Sequence, residues 1–465
     1  KKLVLNVEGS SAWMATGNVQ IQVVDDVNAA NPKVLRSFAV QYKARTGTID
    51  NIDGLKQGLY TSTIRNNGKE GEYELGGDGT WKHYGANVTL NVDTSKKTDD
   101  NVYSAMSTDE GKNVGSTNVS GNSVYMDTTA VTVDASRQAG SKAYGIYDNT
   151  GSTATWESNN STFTITGDEA AGGVLAENLA DDKASTVYVN TYNSGSGISF
   201  NLNGKKTVGM EAGKNGAITA RTDSSWKGNI TISSPNGYAL YAHDGGKITL
   251  PKVSVSANGG TGLYAEKGGQ ITVNDLSGNI GIIKTDDDKD SLITAVLTGD
   301  VSTSLEGNVN ATVKGTMTGD NASSGTLTVN GTWTGSMKNE NGSVTLGEGD
   351  VWNVGSDTVG HMAKLTGSDS NIRRGYINMG SKDLTIDKYS GNATFVYGHD
   401  ESSPENLTGG KVIIKSAEPL TIYSEGIGDS GSTQTVSSTI DSTITVATSA
   451  AGITDTDTAK KVLDA

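Results

Sequence analysis

Gly237-Tyr238-Ala239-Leu240-Tyr241-Ala242-His243-Asp244-Gly245-Gly246-Lys247-Ile248-Thr249-Leu250 is followed by Thr261-Gly262-Leu263-Tyr264-Ala265-Glu266-Lys267-Gly268-Gly269-Gln270-Ile271-Thr272-Val273. Leu240 and Leu263, Tyr241 and Tyr264, Gly246 and Gly269, and Ile248 and Ile271 each stand 23 residues apart. A match sustained in type and position is an internal repeat, and it decides the fold before any local propensity does. Inside one period the apolar residues alternate: Leu263 and Ala265 point one way and Tyr264 the other, and Ile271 and Val273 oppose Thr272. Lys267-Gly268-Gly269 separates the two runs, and its glycines permit backbone angles that other residues resist. A third short segment lies near Leu276, before Gly278-Asn279. About three short strands and three corners per rung predict an all-β chain coiled as a right-handed parallel β-helix. A hairpin protein would instead show likeness between neighbouring strands.

Composition agrees with a solenoid. The 465 residues include 60 Gly, 5 Pro and no Cys, and only 34% are hydrophobic. That is a poor supply for a globule of this length, but each rung of a solenoid fills only a narrow column and stability accumulates rung by rung. The net charge of −15 argues against nucleic acid and anionic membrane surfaces as partners. No apolar run approaches the ~18 residues of a membrane-spanning helix. The absence of Cys suits a large bacterial surface protein that crosses membranes unfolded. Lys1-Lys2-Leu3-Val4-Leu5 opens inside a strand pattern without a signal peptide, as expected of a mature or trimmed fragment.

Weaker forms of the motif extend upstream. Lys1 to about Val40 alternates strongly, as a capping end or as first rungs. Gly58-Leu59-Tyr60, Asn101-Val102-Tyr103 and Gly145-Ile146-Tyr147 are 43 and 44 residues apart, which reads as two rungs each. Gly173-Val174-Leu175-Ala176 and Gly209-Met210-Glu211-Ala212 lead into Ala239-Leu240-Tyr241-Ala242. Gly213 to Thr219 matches His243 to Thr249 at an offset of 30, which implies a seven-residue loop on one corner. Such loops are where binding surfaces are usually built. From Leu292 to Leu346 the periods shorten and small residues dominate, so the coil is expected to narrow.

Val351-Trp352-Asn353-Val354, His361 to Thr366, Tyr376 to Met379 and Leu384-Thr385-Ile386 through Gly391 to Phe395 read differently. This stretch resembles the C-terminal passenger segment of bacterial autotransporters (type V secretion). That pattern is roughly Trp-x-Val, an apolar strand, then Leu-x-Ile-x-x-x-x-Gly-x-Gly-x-Phe. Trp352, Leu384, Ile386, Gly391 and Phe395 match it, and Ala393 stands where the pattern has its second glycine. The resemblance implies an autochaperone-like cap on the coil, followed in the family by a linker helix and a membrane barrel that this sequence lacks. The expected organisation is a β-helix with loop insertions over 1–342, the capping segment over 343–425, and a Ser/Thr-rich tail over 426–465. In that tail Thr456 or Asp457 would cap a truncated helix.

Candidate chemistry is sparse. If Leu240, Ala242, Leu263 and Ala265 face inward, Tyr241 and Tyr264 face outward and stack one rung apart. Exposed tyrosines in a row can hold a sugar or a protein, which makes Tyr241 and Tyr264 the candidate ligand-binding residues. The plain alternative is a ladder that only stabilises the sheet, at up to about 1 kcal/mol per pair. His83, His243, His361 and His399 fall at no metal-ligand spacing, so neither metal nor cofactor is expected. Asp286-Asp287-Asp288-Lys289-Asp290 has acids enough for Ca²⁺ but lacks the glycine and distal Glu of an EF-hand, and reads as a solvated loop. Asp244 and Glu266 lie 22 residues apart but flank glycine corners, where charges ordinarily face water. Gly428-Asp429-Ser430-Gly431-Ser432 has the form of a chymotrypsin-like nucleophile motif. No upstream stretch reads as a protease domain to supply its histidine and carboxylate, so no catalytic residue is assigned.

The expectation is a non-enzymatic bacterial surface adhesin that works by multivalent contact. By resemblance its partners would be host surface proteins, matrix or glycans, other bacterial cells, or copies of itself in aggregation and biofilm. Membrane attachment would come only through the missing barrel. A polysaccharide-degrading β-helix enzyme, lyase or glycosidase, is the alternative from another class, and an inert stalk is a third.

Overall fold

The computed structural model describes strand backbone between Asn18 and Ala447. Side chains are described chiefly over residues 142–396, outside 149–155, 157–160, 168–170, 180–181, 190–196, 206, 221–229, 258–259, 371–373 and 381. Regular structure among the described residues is all strand. Two compact units divide the chain, Lys1–Val273 and Asn274–Ala465.

From Thr80–Lys82 onward the strands of the first unit pair in parallel with the third strand after them. One ladder runs through Lys142–Asp148, Ala171–Ala176, Thr207–Ala212, Tyr238–Ala242 and Thr261–Ala265. A second runs through Thr153–Ser158, Ser185–Asn190, Gly216–Thr219, Lys247–Leu250 and the start of Gln270–Thr285. The third takes in Ser161–Thr166, Gly197–Asn203, Asn229–Ser233 and Val253–Ser256. Three strands per coil make a parallel β-helix, as the 23-residue repeat predicts. Its register is the one the repeat implies: Leu240 faces Leu263, Tyr241 faces Tyr264 and Ile248 faces Ile271. The offset of 30 also holds, with Ile218 opposite Ile248.

Alternation along these strands builds the core. Ile146, Val174, Met210, Leu240 and Leu263 form one inward column, each at most 2% exposed. Burying each such side chain stabilises by about 1.5–3 kcal/mol relative to water. The other two walls add Val187, Ile218, Ile248 and Ile271, and Phe163, Phe200 and Ile232. Phe163 and Phe200 stack at 4.9 Å, and Trp156 meets both edge-on. Their rings occupy the space that side chains at Gly145 and Gly173 would need: a Cβ there would lie 2.4 Å from Phe163 and 2.2 Å from Phe200.

Upstream, one of two alternatives falls and one spacing is corrected. Asn18–Val24 and Val34–Gln41 form an antiparallel pair, so this hairpin is not a rung of the coil. Leu59–Tyr60 pairs directly with Val102–Ser107, placing Leu59 opposite Met106, and Met106 faces Ile146. The strands carrying those motifs are therefore one rung apart, not two, and the register is not the one read from them, since Val102 falls opposite Lys142 and Met106 takes the place opposite Ile146.

In the second unit the coil does shorten. Ile293 faces Val309 and Ala311 faces Leu327, sixteen residues on. The long strands Leu292–Gly307, Val309–Thr318 and Thr326–Gly335 carry Gly299, Gly315 and Gly331 in one in-register column. Parallel pairing continues through Val351–Val354, His361–Thr366, Gly375–Gly380, Leu384–Ser390 and Asn392–Tyr397. Trp333 and Trp352, both fully buried, stack at 4.7 Å and 10°. Their indole N–H groups donate to the Gly319 and Gly335 carbonyls. Gly428–Ser432 and the Thr456–Asp457 cap lie outside the described residues.

Candidate functional site

The outer face of the first ladder gathers most of the chemistry in the first unit. Leu240, Ala242, Leu263 and Ala265 are fully buried, so the pleat turns Tyr241 and Tyr264 outward as the sequence implies. Their rings stack nearly parallel, 5.6 Å apart at 7°. Tyr238 packs against both, and His243 stacks on Tyr241 at 4.7 Å. Both tyrosine hydroxyls donate to Glu266 at 2.7 Å. The ladder is thus half-buried rather than freely exposed: its rings face one another and its hydroxyls share one carboxylate. Burial first, then the Glu266 hydrogen bond and charge, raise the Tyr241 phenol far above its usual value.

Beside the ladder lies a buried polar cluster that the sequence reading did not single out. Glu211 occupies the outward position opposite Leu175 on one side and Tyr241 on the other. It is only 5% exposed, accepts a short hydrogen bond from Tyr144 and lies 3.0 Å from His243 Nε2. His243 Nδ1 is 2.7 Å from an Asp244 carboxylate oxygen. Glu177, also buried, accepts from Tyr147 at 3.3 Å. Gly213 separates it from His243; a Cβ at Gly213 would lie 3.0 Å from Glu177 Oε2 and 3.1 Å from His243 Cε1. One signal in the sequence marks Glu211. It stands in Gly209-Met210-Glu211 where the related rungs carry Tyr147 and Tyr241, an acid at an aromatic position of the repeat.

Burial alone would lower the His243 imidazole, but hydrogen bonds and charge from Glu211 and then Asp244 outweigh it and hold the group above its usual value. For Glu211 burial pulls upward and is outweighed by His243, then Tyr144 and Lys142, leaving the carboxyl more acidic than usual. Burial wins at Glu177 over Lys142, and its carboxyl is raised. Two carboxylates driven apart in acidity have the electronic form of an acid–base pair. Both are at most 5% exposed, however, and a glycosidic bond would need open access to each.

The second unit carries charges along a corner. His361 lies 2.8 Å from Asp387 and 3.6 Å from Glu340, and Lys415 lies 2.8 Å from Asp387. Lys338 bridges Asp357 at 3.2 Å and Asp320 at 3.9 Å. These are exposed pairs that contribute little each. At Asp286–Asp290 the carboxylates accept from their own backbone, Asp286 from the Asp288 N–H and Asp288 from the Asp290 N–H. No group of three or more metal-binding side chains is assembled among the described residues. Compared with known proteins, this chain matches no family, no curated protein and no solved structure.

Proposed function

We propose that the chain is the adhesive solenoid of a bacterial surface protein of the autotransporter type, binding by repeated weak contacts and not by catalysis. One observation carries this reading. In the second unit Thr312, Thr328, Thr345, Thr366 and Ser390 stand in register on successive rungs, half-exposed, with Thr326 and Ser343 in the adjoining column. Rungs ~4.8 Å apart turn these side chains into a regular strip of hydroxyls on a rigid backbone. Each hydroxyl contact is weak, but contacts made together on one rigid surface add through effective concentration. Partners of the matching kind are glycans, matrix or host proteins, and the same strip on a second copy. The glycan-cleaving reading draws support from Glu177 and Glu211, and their burial weighs against it.

The test displays the chain on a non-adherent bacterium and scores settling, attachment to host cells and matrix, and glycan cleavage by the purified protein. Binding or aggregation is expected. Replacing Thr328 and Thr345 with Glu is expected to reduce it several-fold while the β-sheet circular dichroism stays unchanged. Glycan turnover with no binding of any kind would sink the adhesive reading.

A further inference from the structure

The corner at His243 ties two successive rungs and faces a third. Its backbone N–H donates to the Ala212 carbonyl at 2.9 Å, and Gly246 N–H donates back to the His243 carbonyl. Its ring reaches Glu211 on the preceding rung through Nε2 and Asp244 through Nδ1. Glu177, one rung further back, lies across Gly213 from the ring edge. A carboxylate only accepts hydrogen bonds. Two carboxylates can therefore both be satisfied at this ring only when both of its nitrogens carry hydrogen. A neutral imidazole has one N–H and would leave one carboxylate facing a lone pair.

We propose that protonated His243 is a clasp joining the rungs of Glu211 and Tyr241, and that losing its proton loosens this part of the coil. Glu211 comes from strand Thr207–Ala212, Asp244 from its own corner, and Glu177 from the corner after Ala171–Ala176. Lys142 acts on both glutamates, and Lys267 Nζ lies 4.0 Å from Asp244. Tyr144 donates to Glu211, and Tyr241 supports the ring by stacking. Three acids surround one imidazole, so its departure as a cation leaves a buried Glu211 with only Tyr144 and the more distant Lys142.

The sign follows from the folded values. His243 is raised, so its stabilisation is complete below the ordinary histidine value of about 6.5 and fades as pH rises through the higher folded value. Glu211 is lowered, so its contribution is complete above about 4.3 and fades as pH falls through the lower folded value. Glu177 is raised and opposes Glu211 on the acid side. The distinctive limb is therefore the alkaline one. This device is independent of whether the surface is adhesive.

Hydrogen–deuterium exchange of the full chain tests it, read peptide by peptide at pH 6 and pH 9 and corrected for intrinsic exchange. Amides in 207–213 and 238–246 are expected to lose protection at pH 9, about tenfold for each unit by which the imidazole is raised. Peptides from 309–335 should not change. His243→Gln should flatten that pH dependence. To separate the titration from any change in folding of the variant, the Cε1 proton resonance of His243 in the unaltered chain is followed in parallel. A midpoint at or below that of an exposed histidine, or equal corrected protection at pH 6 and pH 9, would overturn the proposal.

Discussion

Gly245 and Gly246 are neighbours that glycine serves for two different reasons. Gly245 has φ +80° and open space around its would-be Cβ, so only its left-handed backbone asks for glycine. A Cβ at Gly246 would lie 2.1 Å from the Ala212 carbonyl oxygen, and one at Gly269 would lie 2.2 Å from that of Ala242. Those second glycines let one rung sit on the last. The sequence reading assigned both to backbone angles and so caught half of the cause. The rung before supplies a control, because Asn215 aligns with Gly245 at the offset of 30 and already adopts φ +57°. Asn tolerates that region. Gly245→Asn is therefore expected to change stability by less than about 1 kcal/mol. Gly246→Ala meets fixed backbone and should cost about 1–3 kcal/mol, more than the chain-entropy gain of about 0.4–1 kcal/mol returns. Urea unfolding of the two variants side by side decides it, and equal midpoints would refute the distinction.

Among elements, the strands of the 23-residue repeat were legible because alternation and spacing were both intact there. Leu240, Tyr241 and Ile248 stand opposite their repeats as read. The sixteen-residue coil was visible only as a shortening, since its rungs share few residue types. Gly299, Gly315 and Gly331 carry its period, and small residues hid it. Glu211 escaped because sequence order places Glu177, Glu211 and His243 far apart, and only the coil brings them to one corner. Trp352 was legible as a motif residue, but its partner Trp333 was not. The packing of this pair gives the motif a physical role in strand Val351–Val354. Trp352→Ala removes a fully buried indole and a stacked face, and is expected to destabilise by about 3–5 kcal/mol. Trp352→Phe retains most of the packing and loses the donor to Gly335, so it should cost less. A urea series monitored by the remaining tryptophans measures both, and an Ala variant no weaker than the Phe variant would contradict the stacking account.

At the scale of the whole chain, stability should be counted in coils. A solenoid's rungs contact only their neighbours, so its free energy is close to a sum of rung and interface contributions. In the sixteen-residue region this has a sharp consequence, because one coil can be removed whole. Excising Val309–Ser324 joins Asn308 to Gly325 and brings Leu327 opposite Ala295 and Trp333 opposite Val301. These are the places that Ala311 and Met317 hold now. Inward residues stay inward, and Gly331 replaces Gly315 in the glycine column. Excising only Val309–Thr316 keeps strand parity but sets the following chain half a coil out of place. Asp320, a corner residue, and Asn321, the buried first residue of strand Asn321–Ser323, both accept from backbone and would then lie against Val296 and Leu297. Asn321 would take the inward place of Val313 and lose its present bond to the Ser323 N–H, at a cost of about 1–3 kcal/mol, and the next corners would miss their stacks. The longer deletion should therefore keep β-sheet circular dichroism and cooperative melting with a modestly lower Tm. The shorter one should lose protease resistance across 293–346. If the eight-residue deletion survives as well as the sixteen-residue one, the coil is not the unit in which this chain stores its stability.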